Sequence, residues 1–370
     1  MSLIAQLKTI SDPRNSRGRR HPLWLLMFLS LLGSFCGYWG YRPLACFAQE
    51  HHATWCELLG LDPLTTKAPS YSTFRLLFIR LEAGSWVMSF NCWAMTHPAA
   101  VLGQLSTDGK SIKCTSTGGQ SPHQDFASLV SVYSQEAGVV QLALMFNKKD
   151  SEITVAQGLL ERVATTDAFA SDAPLCFSLD ALHTQVATLA LLEHHQCHYL
   201  IGLKGNQPKL YASAQTLLQQ ATPLSVESEL DTSHGRTLER TVKVYELLSA
   251  LPERWARSGV QRIVWVLRQG MRQGRTVSQW HAYLTNWCAD AATFMGLIRN
   301  HWQIENGLHW VKDVTFEEDY PPRRGGQAPI AWAVLNSFMI TLARRIGART
   351  VPDAMRKLAN QVHTIFHWLT

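Results

Sequence analysis

Apolar and polar positions change their rhythm twice along the chain. Over residues 1–95 the apolar positions follow helical spacing, and they predict an apolar helix after Pro22, a second through Leu44 to Leu59, and a third from Tyr71 to Trp93 after the breakers Pro63 and Pro69. Pro22 to Tyr41 contains no charge, a length that in principle crosses a bilayer. Ser30, Gly33, Ser34, Gly37 and Gly40 dilute this run, and Arg20 and Arg42 flank it. The reading is therefore a helix buried in a helical domain, with a membrane span as its competitor.

From Leu102 short β-branched runs alternate with helical stretches. Strands are expected at Leu102 to Thr107, Leu129 to Tyr133, Val139 to Asn147, Leu175 to Asp180 and Tyr199 to Leu203, with helices at Glu152 to Thr165, Thr184 to His195 and Lys209 to Gln220. That order predicts an α/β fold with a mixed sheet covered by helices. Between 222 and 290 the rhythm becomes antiparallel: Arg240 to Leu247, Arg262 to Arg268 and Val277 to Leu284 read as strands of a β-rich insertion. Helical texture returns at Ala291, and after the breakers Pro321 to Gly326 the segment Ile330 to Ile346 predicts another apolar helix. The expected domains are 1–95, helical; 96–221 with 291–348, catalytic; 222–290, β-rich; and 349–370, a helical tail.

The stretch from Arg299 to Asp319 departs from core chemistry. On a helix, residues three, four and seven apart share a face, so His301, Glu305, His309 and Lys312 form one stripe. A packing helix would place Leu or Ile there. Trp302, Ile304, Leu308 and Trp310 are available to bury alongside.

Composition changes this picture only modestly. With 370 residues, 46% of them apolar, the chain can build more than one core. The net charge of +6 is unevenly placed, with Lys8, Arg14, Arg17, Arg19 and Arg20 opposed by Asp12 alone in the first 22 residues, which makes a polyanion a plausible partner. Eight scattered cysteines show no CxxC pair and suit reduced thiols. His194, His195, Cys197 and His198 cluster without a second half at zinc-ligand spacing.

Three acidic residues stand where an active site would use them. Asp108 and Asp180 each end a predicted strand, the edge where α/β folds place chemistry, and Glu305 lies on the polar stripe. Convergent carboxylates repel one another unless cations intervene. Mg²⁺ takes oxygen ligands, and two such ions suit phosphodiester chemistry.

These residues resemble the DDE-type insertion-sequence transposases, in particular the bacterial group of H-repeat-associated proteins. The resemblance covers nearly the whole chain. Asp12, Pro13, Arg14, Arg17, Gly18, Arg19, Arg20, His21 and Pro22 are similar to that group's opening signature, and Asp108, Gly109, Lys110 to its first-Asp motif. Lys149, Ser151, Glu152, Ile153 resemble the segment that follows, and Asp180, Ala181, His183, Thr184, Gln185 the second-Asp motif. Lys204, Gly205, Asn206, Gln207, then His234, Gly235, Arg236, Glu239, Arg240, and finally Arg299 to Asp319 complete the order. Broader relatives carry Arg where this chain has His301, and many carry Arg at the position of Lys113.

The resemblance implies an RNase H-like core in which Asp108, Asp180 and Glu305 hold two Mg²⁺ ions, with Mn²⁺ as a substitute. It implies cleavage at transposon ends, freeing a 3′-hydroxyl that then joins target DNA. Expected contacts to double-stranded DNA are Arg14, Arg17, Arg19, Arg20, Lys110, Lys204, Asn206, Gln207, His234, Arg236, Arg240, His309 and Lys312, while His301, Asn306 and Asp313 are expected to orient the metal-binding groups. A homodimer acting on two ends, without membrane association, in the bacterial cytoplasm at the nucleoid, completes the expectation. A domesticated RNase H-like nuclease and a non-catalytic DNA-binding protein stand as alternatives.

Overall fold

A computed structural model describes residues 2–16, 19–96, 103–117, 125–166, 175–232, 236–247, 253–255, 257–272, 275–320, 323 and 325–370. Arg17 and His234 lie outside the described residues, and only the strand position of Arg236 is described.

Six helices open the chain: α1 (Leu3–Leu7), α2 (Leu23–Phe35), α3 (Tyr41–Glu50), α4 (His52–Leu59), α5 (Tyr71–Arg80) and α6 (Ala83–Ala94). All of α2 except Trp24 is buried, the signature of a helix inside a core rather than at its surface. No helix of the described residues is long and apolar enough to cross a membrane. The continuous run expected from Tyr71 to Trp93 is broken at Leu81, where extended backbone ends α5, and the Glu82 carboxylate caps α6 by accepting from the amides of Gly84 and Ser85.

One nine-stranded sheet follows, built from β1 (Gln104–Ser111), β2 (Ala127–Ser134), β3 (Gly138–Phe146), β4 (Cys176–Leu179), β5 (His198–Leu203), β6 (Ser225–Asp231), β7 (Arg236–Glu246), β8 (Arg262–Arg272) and β9 (Arg275–Thr285). Their spatial order is β3-β2-β1-β4-β5-β9-β8-β7-β6. β1 is parallel to β4, and β4 to β5; the other neighbours are antiparallel. The β-rich insertion is therefore an extension of the central sheet, because β9 pairs with β5 along Leu200 to Leu203. β6 escaped sequence reading: its segment Ser225–Asp231 is rich in Glu and Asp, as suits an edge that must not recruit further strands.

Helices α7 (Glu152–Ala164), α8 (Val186–His194) and α9 (Pro208–Gln220) cover one face, and α6, α10 (Ala291–His301) and α11 (Ala328–Arg345) the other. Alternation along β8 shows the layering: Ile263 and Trp265 pack toward α9, and the Trp265 indole donates to the Ala214 carbonyl, while Val264 and Val266 pack toward α10. The β3 edge is closed by Asn91 of α6, whose amide donates to the Leu142 carbonyl (2.9 Å) and accepts from the Leu142 amide (2.8 Å) like another strand. α12 (Val351–Leu358) and α13 (Val362–Leu369) pack with the N-terminal helices in one core.

Candidate active site

The parallel pairing of β1 with β4 sets the first two carboxylates side by side. Thr107 pairs with Leu179, so Asp108 and Asp180 are the next residues on neighbouring strands. Asp108 is mostly buried and accepts from the Gly109 amide at 2.9 Å. Asp180 is more open, and its carboxylate accepts from the Leu182 amide (2.9 Å), capping the short turn Ala181–His183.

Glu305 reaches the same place from the segment after α10. There the helix changes character: Glu305–His309 and Val311–Thr315 are π-helical, with i→i+5 bonding that widens each turn. Gly307 lets the wide turn lie directly on the Tyr133 hydroxyl, where a Cβ would collide, and its carbonyl accepts from Arg344 (3.1 Å). His309 Nδ1 lies 3.5 Å from Asp108 and 3.4 Å from Glu305, and atoms of these three residues come within 4.8 Å of one another, close enough to share a cation. Asp180 stands outside that tight group but near enough to raise the proton affinity of Asp108.

Electrostatics mark the cluster as short of positive charge. Burial pushes the Asp108 carboxyl up to about 6, opposed by His309 and reinforced by Glu305 and Asp180. Glu305 is held below its ordinary range, first by its hydrogen bond from His309, while burial acts the other way. Among the described residues, the only ion-pair partners of Asp108, Asp180 and Glu305 are the imidazoles of His309 and His183. Carboxylates in excess, with Lys110 acting on Glu305 only from a distance while it pairs with Asp313, suit hard divalent cations, and one nearby imidazole is compatible with Mn²⁺.

The expected stripe is met in part. His301 faces the site: its Nδ1 lies 3.1 Å from Ser178 Oγ on β4, and burial lowers its proton affinity against the pull of Asp180 and Glu305. Lys312 does not share the stripe; it is 1% exposed and turned into the interior toward Glu318. The π turns explain the correction. More residues per turn leave each successive side chain lagging behind α-helical spacing, so His309 stays near Glu305 but Lys312 swings to the far side. Trp302 and Trp310 are likewise exposed at 42% and 56%, while Ile304 and Leu308 are buried as expected.

Other expected DNA contacts are engaged inside the protein. Lys110 Nζ lies 2.6 Å from Asp313 and 3.8 Å from Asp319, so Asp313 holds Lys110 rather than Glu305. The Asn206 amide donates to the Ala181 carbonyl (2.6 Å) and Gln207 to that of Thr184 (2.8 Å), which fastens the turn after Asp180. Arg14 makes a paired contact with Asp12 and donates to the His21 carbonyl (2.7 Å), leaving its side chain 12% exposed. Arg19 bonds the Arg14 and Asp12 carbonyls yet remains 45% exposed; Arg20 and Lys204 are exposed. Asn306 bonds the Trp302 carbonyl and faces a cleft, not Glu305. Arg240 pairs with Glu229.

Two further residues join the site. Glu152, at the start of α7, rests its carboxylate on Gly109, where a Cβ would sit 2.7 Å from its carboxyl carbon. His183 is fully buried, with Nε2 3.7 Å from Glu152 and 3.9 Å from Asp180. Both belong to the quoted motifs, and only the fold shows that they meet.

The geometry agrees with comparison to known proteins. The chain belongs to the family described as Transposase DDE domain, which matches residues 102–327, and the family described as DDE_Tnp_1-associated matches residues 4–94. It is 24% identical over 362 residues to "Putative transposase YncI" of Escherichia coli O157:H7, covering 93% of this chain and 87% of that protein. It is 22% identical to "H repeat-associated putative transposase YhhI" of Escherichia coli K12, covering 89% of this chain and 86% of that protein. The fold is the RNase H-like α/β fold of DDE transposases, and the chain is a transposase of the H-repeat-associated group.

Proposed function

We propose that this transposase cleaves DNA at transposon ends and joins the freed 3′-hydroxyl to target DNA, using Asp108, Asp180 and Glu305 to hold two Mg²⁺ ions, with Mn²⁺ as a substitute. The observation that carries the reading is the convergence of Asp108 and Glu305 to within shared-ligand distance, beside Asp180, with no Lys or Arg ion pair to any of the three among the described residues. When bound, divalent ions would supply Lewis-acid stabilisation of charge developing on the phosphoryl oxygens. The protein's part is placement. β1 and β4 fix the two aspartates, the π turn brings Glu305 over them, and His309 spaces Asp108 from Glu305. His301, tied to Ser178, anchors the helix end to β4.

Residues 1–95 would recognise transposon ends, with Arg19 and Arg20 as the exposed cations, and Lys204 would meet DNA beside Asp180. Residues 96–221 and 291–348 would form the catalytic domain, 222–290 its β extension and 349–370 a helical tail. Two copies would act on two ends at the bacterial nucleoid.

The test uses a duplex carrying the flanking terminal repeat of the coding region. Wild-type protein with Mg²⁺ or Mn²⁺ is expected to nick the end and join it to a target plasmid; Asp108→Asn and Glu305→Gln are expected to lose both reactions while retaining DNA binding. Nicking without joining would indicate the nuclease alternative. Full activity in Asp108→Asn would end the reading.

A further inference from the structure

A cleft of about 670 Å³ opens between the β6–β7 hairpin and α10, lined by Glu229, Asp231, Arg240, Arg268, Arg299, Trp302 and Asn306 among others. It runs up to the metal-site helix, since Asn306 follows Glu305 directly. Its charge layout is unusual for a structural surface. Glu229, Arg240 and Arg268 lie in one row across β6, β7 and β8, Glu229 opposite Arg240 and Arg240 opposite Arg268. Arg240 and Arg268 thus bring two like charges together on neighbouring strands, with the carboxylates of Glu229 and Asp231 lining the same cleft.

The groove is spanned by one carboxylate. Glu229 Oε1 accepts from Arg240 Nη1 at 2.5 Å, and its Oε2 pairs with Arg299 Nη2 on α10. Two oxygens of one anion, each held by a different guanidinium, is the arrangement a backbone phosphate would make with the same pair. Arg299 keeps 55% of its side chain exposed, so it can exchange partners without unfolding. Trp302 offers an exposed ring on the wall of the cleft.

We infer that this cleft is a phosphate-binding track that guides a DNA strand toward Glu305, and that Glu229 occupies it as a competing carboxylate. The inference rests on the transposase reading and adds Arg268, Arg299 and the gating Glu229 to it. A phosphate displaces Glu229 from Arg240 and Arg299 when DNA enters. Duplex that engages the protein only weakly does not offset the loss of that ion pair, so Glu229 selects against non-specific DNA.

The full-length protein, without divalent metal, is titrated with a fluorescent random-sequence duplex at several salt concentrations. Glu229→Gln is expected to tighten binding about threefold to fivefold, the scale of an exposed ion pair. Arg299→Gln is expected to weaken it and to make the slope of log affinity against log salt shallower by about 0.9, one phosphate's worth. The double variant should gain less over Arg299→Gln than Glu229→Gln gains over wild type, because part of that gain acts through Arg299 and the rest through Arg240. Unchanged or weaker binding by a folded Glu229→Gln protein, or strict additivity in the double variant, overturns the inference while leaving the transposase reading intact. Should Glu229→Gln fail to fold, the Arg299→Gln slope decides alone, and no change in it is a refutation. Absence of duplex binding by wild type at low salt would remove both readings together.

Discussion

Two charged clusters lie side by side along β1 and the π-helical segment, each with three carboxylates but with different cations against them. The first comprises Asp108 of β1, Asp180 of β4, and Glu305 with His309 from the first π turn. The second begins two residues further along β1 with Lys110 and takes Lys113, then Lys312 and Asp313 from the second π turn, then Glu318 and Asp319. In the second cluster three cations meet three carboxylates. Lys110 pairs with Asp313, Lys113 with Asp319, and buried Lys312 faces buried Glu318, whose carboxylate also accepts from Asn336 at 2.7 Å. The first cluster has three carboxylates whose ion-pair partners among the described residues are imidazoles alone. A balanced cluster satisfies itself and fixes the chain, whereas an unbalanced one waits for a cation; stoichiometry of charge separates scaffold from site.

Breaking the balance on the scaffold side should cost most in stability. Burial lowers the proton affinity of Lys312 and raises that of Glu318, so each charged form depends on the other. Lys312→Met leaves Glu318 without its partner and is expected to destabilise by about 3–5 kcal/mol in urea titrations, with Lys312→Met/Glu318→Leu recovering much of the loss. If Lys312→Met melts like wild type, the two clusters do not differ in the way described.

A smaller effect is expected at the site, with opposite sign. The buried Asp108 carboxyl keeps its proton up to about 6, whereas an unfolded Asp releases it near 3.8, so between these values the native state binds more protons. Stability associated with that proton is present below about pH 4 and lost as pH rises through about 6. Metal-free Asp108→Asn should therefore exceed wild type by up to about 3 kcal/mol at pH 7 and show little difference at pH 4. Divalent metal should raise wild-type stability only as the pH climbs past 6. A parallel pH profile for the two proteins would contradict an uncompensated Asp108.

The smallest change belongs to the rim of the balanced cluster. Lys113 is 60% exposed, so its pairing with Asp319 is screened by water. Lys113→Ala should lower the unfolding free energy from urea titrations by less than about 1 kcal/mol, and a larger loss would place this pair among the buried contacts.

Much of this arrangement was legible in the chain. Apolar runs leading to Asp108 and Asp180 read as strands, and the four-residue spacing of Glu305 and His309 placed both on one face; the fold keeps Asp180 at the end of β4 and the Glu305–His309 contact, whereas β1 continues through Asp108 to Ser111 because its pairing with β2 extends that far. Lys312 was misplaced because α-helical spacing was carried through a segment whose backbone widens into π turns, a choice made by packing against Tyr133 and Arg344. The edge strand β6 offers only Val226 and Leu230 among acidic and polar residues, and both are exposed, so its apolar signal is weak. Asn206 and Gln207 looked like ligand-facing amides because their partners, the carbonyls of Ala181 and Thr184, are remote in sequence.

By itself the sequence determined most of the succession of elements and the family of DDE transposases, since periodicity and motif order are properties of neighbouring residues. The tertiary structure alone decided which charges neutralise each other. Whether a carboxylate faces a lysine, an imidazole or another carboxylate depends on strand register, helix widening and burial, and those are settled only when segments hundreds of residues apart compete for the same dry space.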